Sequence, residues 1–297
     1  MKRLIIVYSL RSSRYELFER EVLEPARKLK GWMVGKFEVR EASVEENVRE
    51  LVGQIRSGDL VVAAGGDGTA GMVVNAVMES GKRVAMGVVG LGNFNDYAQT
   101  FGEGKFLKMV RKFEEGRKEE IYPMEILVNG KHFRYFVNYL TMGMFAESTE
   151  VFKNEKVRKK LGKVKNRLVY SGRKLFFWYL KNKRKKFLPE EMGKGVTDFM
   201  VVNGASVAGL FPTGEYFLER EKFLAGKLEN RNFWKMLRTG MRALEGKKTL
   251  EESTEVRMTF KKPETMKIHT EGEGVELASV REIVIKKAES GLKVIRL

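Results

Sequence analysis

The first 120 residues alternate between short, continuous apolar runs and stretches of helical period. Leu4-Ile-Ile-Val-Tyr8 is a short β-rich run. Residues 15–30 carry a helical pattern that includes Leu17, Val22, Leu23 and Ala26. Residues 44–55 have the same period, with Ser43 placed to cap them. Asp59-Leu-Val-Val-Ala-Ala64 returns to a strand and runs into Gly65-Gly-Asp-Gly-Thr69. Residues 70–79 predict a helix. Residues 83–89 predict a strand that enters a second glycine-containing loop, Gly90-Leu-Gly-Asn-Phe-Asn-Asp96. Strands alternating with helices predict a parallel, doubly wound sheet.

After Ile121 the pattern changes. Residues 125–137 predict two strands around Asn129-Gly130, a favoured two-residue hairpin turn. Further strand-like runs cover 198–203, 255–261, 265–270, 280–287 and 292–297. The expected fold class is therefore α/β plus β. A doubly wound parallel-sheet domain over 1–122 precedes a mainly antiparallel, β-sandwich-like domain over 123–297. The second domain carries a helical, basic insertion at about 150–187, and the last strand is able to return to the first domain.

Composition narrows the class. The chain has 297 residues, 43% hydrophobic and 32% charged, enough apolar mass for a core and too much for a disordered chain. The densest apolar run, Leu175-Phe-Phe-Trp-Tyr-Leu180, is far short of the ~18 residues of a membrane span. The N-terminus reads as a first strand and not as a signal peptide. There is no cysteine, and the two histidines, His132 and His269, argue against a His-based metal centre or Ser-His-Asp catalysis. His269 reads as a surface strand residue. The net charge of +17 points to an anionic partner. Residues 153–187 hold fifteen Lys or Arg and one acid, Glu155, interleaved with Leu175, Phe176, Phe177, Trp178 and Tyr179. That mixture suits an interfacial helix on an anionic leaflet better than it suits a solvated face.

The two loops carry the chemistry. Gly65-Gly-Asp-Gly-Thr69 follows a strand and opens a helix, so backbone N–H groups and the helix N-terminus can receive phosphate oxygens. Asp67 would repel phosphate unless it serves Mg²⁺ or a hydroxyl proton, which suggests phosphoryl transfer. Thr69 can cap the helix. Neighbouring strand ends converge on one crevice in this fold, so Asn93, Asn95 and Asp96 of the second loop would join the same site. The stretch from Gly66 to Gly71 also satisfies G-x-G-x-x-G, but no acid follows at the end of the next strand, and no Gly-Lys-Ser/Thr follows either.

Gly65-Gly-Asp-Gly-Thr69 followed by Gly92-Asn-Phe-Asn-Asp-Tyr-Ala98 resembles the diacylglycerol kinase catalytic-domain family. That family includes bacterial lipid kinases and sphingosine kinases and is more distantly related to NAD kinases. The likeness extends to Phe136-Val-Asn-Tyr-Leu-Thr-Met-Gly143, to Val201-Val-Asn-Gly-Ala-Ser-Val-Ala-Gly209 and to Glu271-Gly-Glu273, which stands where the family has D-G-E. The resemblance implies an ATP-dependent lipid kinase that uses Mg²⁺, with 1–122 binding nucleotide and 123–297 binding lipid. It implies Asp67 and Glu273 or Glu271 as catalytic carboxylates, with Glu273 the first choice. The nucleotide set is Ser9, Arg11, Ser12, Gly65, Gly66, Gly68, Thr69, Gly92, Asn93, Asn95 and Asp96, and Asp67 and Asp96 would face nucleotide-bound metal.

Three departures stand beside the likeness. The family's N-P-x-S-G appears as Ser9-Leu-Arg-Ser-Ser13, whose hydroxyls can still donate to phosphates, with Arg11 or Arg14 adding charge. Asn93 and Phe94 replace the usual small residues of the second loop. Ala225 replaces an aspartate that helps hold a structural Mg²⁺ in some bacterial members. The expected partners are a lipid substrate and an anionic membrane surface met through 153–187, with no nucleic acid. A homodimer is compatible with these features, and the expected location is cytoplasmic and peripheral to the membrane. The competing readings are an NAD kinase-like enzyme, and a degenerate, non-catalytic member that binds anionic membrane or RNA.

Overall fold

Leu4 to Val7 form the buried centre of β1 (Lys2–Tyr8), because apolar and β-branched residues pack well on a pleat covered on both faces. The computed structural model describes the chain apart from residues 94, 103, 155, 158–159, 162–163, 165, 184, 205, 208–210, 213–217, 219–220, 230–234 and 236–249. Phe94 thus lies outside the described residues. The chain divides into two units. The first comprises Met1–Pro123, Tyr135–Val137 and Ala288–Leu297, and the second comprises Met124–Arg134 and Asn138–Lys287.

In the first unit β1 pairs in parallel with β2 (Trp32–Glu38) on one side and with β3 (Leu60–Gly65) on the other. β4 (Ala85–Gly90) adds to β3 in parallel. β16 (Leu292–Val294) then joins β4, and β5 (Glu119–Ile121) closes the row antiparallel to β16. The order β2-β1-β3-β4-β16-β5 puts the reversal of winding between β1 and β3. Ligand crevices open at the carboxyl ends of strands beside such a reversal.

One face of this sheet buries Leu4, Ile6, Leu60, Val62 and Ala64 against Phe18, Val22 and Ala26, and against Phe106, Met109 and Val110 of the Phe106–Glu114 helix. The alternate residues Ile5, Val7, Val61 and Ala63 are equally buried and point to the opposite face.

Two features differ from the sequence pattern. The helix expected over 15–30 is a 3₁₀ turn at Tyr15–Leu17, a π-turn at Glu19–Leu23 and α1 (Glu24–Arg27). Pro25 has no N–H for an i→i−4 bond, and just before it the Glu24 N–H reaches back five residues to Glu19. β2 has no clean alternation, because it is an edge strand with only Phe37 buried. By contrast, α2 (Val44–Gln54) begins with the expected cap: Ser43 accepts from the Glu46 N–H, and Glu46 reaches back to the Ser43 N–H.

The second unit is built on one eight-stranded sheet, ordered β13 (Glu251–Ser253), β12 (Phe223–Leu228), β9 (Asp198–Val202), β8 (Tyr139–Gly143), β14 (Glu255–Thr270), β15 (Glu273–Lys287), β6 (Met124–Val128) and β7 (Lys131–Phe136), while β10 (Ser206–Val207) and β11 (Phe211–Pro212) pair apart from it. β6 (Met124–Val128) and β7 (Lys131–Phe136) flank Asn129 and Gly130, whose φ values of 51° and 75° are those of a tight hairpin turn. The middle is a long hairpin, β14 (Glu255–Thr270) and β15 (Glu273–Lys287). Register shifts between Thr259 and Met266 break its alternation, which is why the sequence shows several shorter runs.

β8 (Tyr139–Gly143), β9 (Asp198–Val202), β12 (Phe223–Leu228) and β13 (Glu251–Ser253) attach at the tip end of the hairpin. β6 attaches at its base. Even so, Lys287 at the base donates to the side chain of Asn203, just beyond β9. Arg134 of β7 donates to Glu273 at the tip. The continuous sheet therefore bends, with each wing folding back onto the central hairpin. Ala225 sits in β12 opposite Val201 and Glu251.

Candidate active site

Three loops of the first unit lock together at the carboxyl ends of β1, β3 and β4. The loop after β1 turns at Ser9, whose carbonyl accepts from the Ser12 N–H at 3.1 Å. Arg14 then ties this loop to the one after β4: its N–H donates to the Leu91 carbonyl at 3.1 Å, and its Nη2 donates to the Gly90 carbonyl at 2.7 Å. Leu91 in turn donates to the Gly65 carbonyl at 2.7 Å, which joins the loop after β3. The glycines let the last two loops touch. A Cβ on Gly92 would stand 2.6 Å from the Gly66 Cα. Asn95 adopts a left-handed conformation, and its Oδ1 accepts from the Gly92 N–H at 2.7 Å, closing the second loop on itself.

Asp67 is the hub. It takes the first position of α3 (Asp67–Ser80), and Gly66, not Thr69, holds the N-cap position. Thr69 is buried in the first turn and does not cap. Gly68 lies between them, in the same first turn. The Asp67 Oδ1 accepts the Tyr97 N–H at 3.1 Å. Burial, and then the charge of Asp96, pushes the Asp67 carboxyl up from 3.8 to about 7, against the pull of the Tyr97, Asn95 and Asp67 backbone N–H groups. Asp96 is 1% exposed. Two buried carboxylates that repel one another suit a cation between them and phosphate. Among the described residues no cluster of three or more Asp, Glu, His or Cys is placed to hold a metal by itself.

The loop after β1 also fits an anion. Among the described residues the hydroxyls of Ser12 and Ser13 and the Nε of Arg14 are buried atoms without a hydrogen-bond partner. Such donors are costly to leave unmet, and phosphate oxygens are the acceptors that would meet them. Arg11 stands apart from this group, since its guanidinium pairs with Glu41 and both side chains are well exposed. Arg14 is thus the arginine that ties these loops together, a role that spacing alone does not separate from Arg11.

In the second unit the two glutamates of the hairpin tip differ sharply. Glu271 has φ 39°, is 3% exposed and accepts the Asn138 N–H. Glu273 keeps 30% of its side chain exposed, and its Oε2 accepts from the Arg134 Nη1 at 3.0 Å. Arg134, which sequence reading left unassigned, is 6% exposed. His269 is buried beside the Tyr139 ring, so the expectation of a surface histidine fails: it lies on the covered part of β14, opposite Thr141 of β8.

The diacylglycerol kinase catalytic domain model matches residues 12–127, which span the Ser12–Ser13 loop, both glycine loops and Asp67. Residues 12–127 are thus similar to the diacylglycerol kinase catalytic domain. The chain is 31% identical over 160 residues to a diacylglycerol kinase of Bacillus subtilis (strain 168), covering 50% of this chain and 48% of the relative. It is 29% identical over 151 residues to one of Staphylococcus carnosus (strain TM300), covering 49% and 46%. The chain thus spans about half the length of the curated relatives it matches. The crystal structure of a diacylglycerol kinase from Bacillus anthracis str. Sterne superposes with a TM-score of 0.66 at 14% identity, over 100% of this chain and 97% of that one. That likeness establishes the fold over the whole chain: a mixed, largely parallel sheet with helices, then an eight-stranded antiparallel unit. The family match covers both glycine loops.

Proposed function

We propose that the protein is a lipid kinase that transfers the γ-phosphate of ATP to a lipid hydroxyl. The observation that carries this reading is the locked set of loops around Asp67, with unmet donors at Ser12, Ser13 and Arg14, inside a diacylglycerol kinase catalytic-domain match. Ser9, Ser12, Gly65, Gly66, Gly68, Thr69, Gly92, Asn93 and Asn95 form the nucleotide-facing surface. Arg11 can join it only by releasing Glu41, and an exposed pair of that kind is worth at most about 1 kcal/mol.

Asp67 and Asp96 would hold Mg²⁺ together with phosphate oxygens. When bound, the ion supplies neutralisation of the charge on the transferring group. Glu273 is the general base. As the lipid oxygen bonds to the γ-phosphorus and the β–γ bridging bond breaks, the hydroxyl proton passes to its carboxylate. Glu271 is the less suited of the two, since its carboxylate is buried and engaged by the Asn138 N–H.

The enzyme works at an anionic membrane surface through 153–187. Among the described residues no helix is long and apolar enough to cross a membrane. The Arg167–Asn182 helix buries Ser171 and Tyr179 on one side. It exposes Val169, Phe177 and Leu180 near Arg173 and Lys181 on the other. Apolar residues facing outward among cations are what a lipid interface accommodates. The test is transfer of labelled γ-phosphate from ATP to a mixed lipid extract supplemented with NAD. Labelled lipid supports the reading, whereas labelled NADP or no product at all overturns it.

A further inference from the structure

A buried polar chain crosses the bent sheet of the second unit. Lys287, the last residue of β15, donates its ammonium to the Asn203 side-chain oxygen. The N–H groups of Asn203 and Gly204 both donate to the Asn138 carbonyl, at 2.7 and 2.9 Å. The Asn138 N–H then donates to the Glu271 carboxylate. Asn138 and Asn203 are 0% exposed. The fit is close, since a Cβ on Gly204 would stand 2.0 Å from the Asn138 Oδ1. The chain therefore opens on a cation and ends on an anion, with two asparagines between them.

Burial pushes the Lys287 ammonium down to about 7, so holding a charge there is costly. Glu271 and Glu273 flank Gly272, so whatever fixes Glu271 also sets the direction of the tip that carries Glu273. We propose that Lys287 is a positioning residue for phosphoryl transfer: through Asn203 and Asn138 it holds Glu271 and thereby aims Glu273. This rests on the reading of Glu273 as the base. Lys287 and Arg134 then act on the tip in complementary ways. Arg134 pairs with Glu273 itself, and Lys287 holds the backbone from which Glu273 projects.

The test uses Lys287→Met and Lys287→Arg in the full chain with two readouts. One is steady-state transfer to lipid, and the other is hydrogen exchange at the Asn138 amide. Lys287→Met should lower kcat about 100-fold by misplacing the tip, while the KM for ATP stays within about twofold. Its Asn138 amide should exchange about tenfold faster, with amides of β3 unchanged. Lys287→Arg, which keeps a charged donor, should recover most of kcat and of the Asn138 protection. Unchanged kcat in Lys287→Met overturns the proposal, and so does a fall in kcat with unchanged Asn138 exchange. Equal loss of kcat and of global stability in both variants also overturns it. If the wild-type protein phosphorylates no lipid, the kinase reading fails. Asn138 exchange in Lys287→Met still decides whether Lys287 holds the tip.

Discussion

Gly66 and Gly92 meet backbone to backbone, and the contact leaves no room for a side chain at position 92: a Cβ on Gly92 would lie 2.6 Å from the Gly66 Cα, whereas one on Gly66 would make a tight contact of 3.3 Å with the Gly92 Cα. Neither neighbour is a flexible side chain that could swing away. The contact fixes the spacing of the two loops that carry Asp67 and Asp96.

Gly92→Ala should therefore separate the loops. An added methyl against backbone costs about 1–3 kcal/mol. The variant should melt several degrees lower and bind ATP at least about tenfold more weakly. Calorimetric titration and a thermal melt check both. Wild-type affinity in a folded Gly92→Ala protein would show that the loop spacing does not matter for nucleotide.

Asp67→Asn separates stability from function. The folded Asp67 carboxyl titrates near 7 and the unfolded one near 3.8. Between those values the folded chain keeps a proton that the unfolded chain has lost, so this group makes stability fall as pH rises from about 4 to 7. Below that window it contributes nothing, and above it the full penalty persists. Asparagine cannot ionise, and its carbonyl oxygen can still accept the Tyr97 N–H. The variant should match wild type in melting temperature at pH 4, exceed it at pH 8, and transfer no phosphate. A lower melting temperature at pH 8 would contradict the sign of the effect.

Glu273→Gln should cut transfer by about 10²–10⁴ while ATP affinity stays at the wild-type value. Glu271→Gln keeps an acceptor for the Asn138 N–H and should lose far less. Single-turnover transfer with both variants measures the difference. If Glu271→Gln is the crippled enzyme and Glu273→Gln is normal, the roles are exchanged.

Vesicle binding should depend on both charge and the exposed apolar stripe. Each Lys or Arg near an anionic leaflet contributes about 1 kcal/mol, and salt screens it beyond ~8 Å. Replacing Lys181, Lys183, Lys185 and Lys186 by Gln should abolish most binding to anionic vesicles at physiological salt. Phe177→Ser should weaken binding with little change in its salt dependence, because Phe177 is 52% exposed and uncharged. Cosedimentation at several salt concentrations reads both. Equal binding of the wild-type protein to neutral and anionic vesicles would remove the electrostatic part of the reading.

Ala225 cannot ligate a metal, so chelation should cost activity and little thermal stability. A melt with and without EDTA tests this. A large drop in melting temperature would reveal a structural cation in the second unit.

Much of the first unit is legible in the amino-acid order, because its signals are local. The continuous apolar runs of β1, β3 and β4, the Ser43–Glu46 capping box and the glycines before α3 act within a few residues of themselves. The glycine loops and Asp67 are legible for the same reason, since phosphate cradles are made of consecutive backbone groups. Tertiary structure alone decided the rest. β2 is hidden by its exposed edge, and a π-turn before Pro25 interrupts the α-helical hydrogen bonding of a segment whose side-chain pattern is intact. The hairpin of β14 and β15 is hidden by its register shifts. Arg14 separates from Arg11 only through the carbonyl of Gly90, 76 positions away. Glu271 separates from Glu273 only through Asn138 and Arg134, 133 and 139 positions distant. The sequence determines which groups are available for chemistry. Which of them are buried, paired or left facing solvent depends on contacts between distant segments, and no local pattern encodes those.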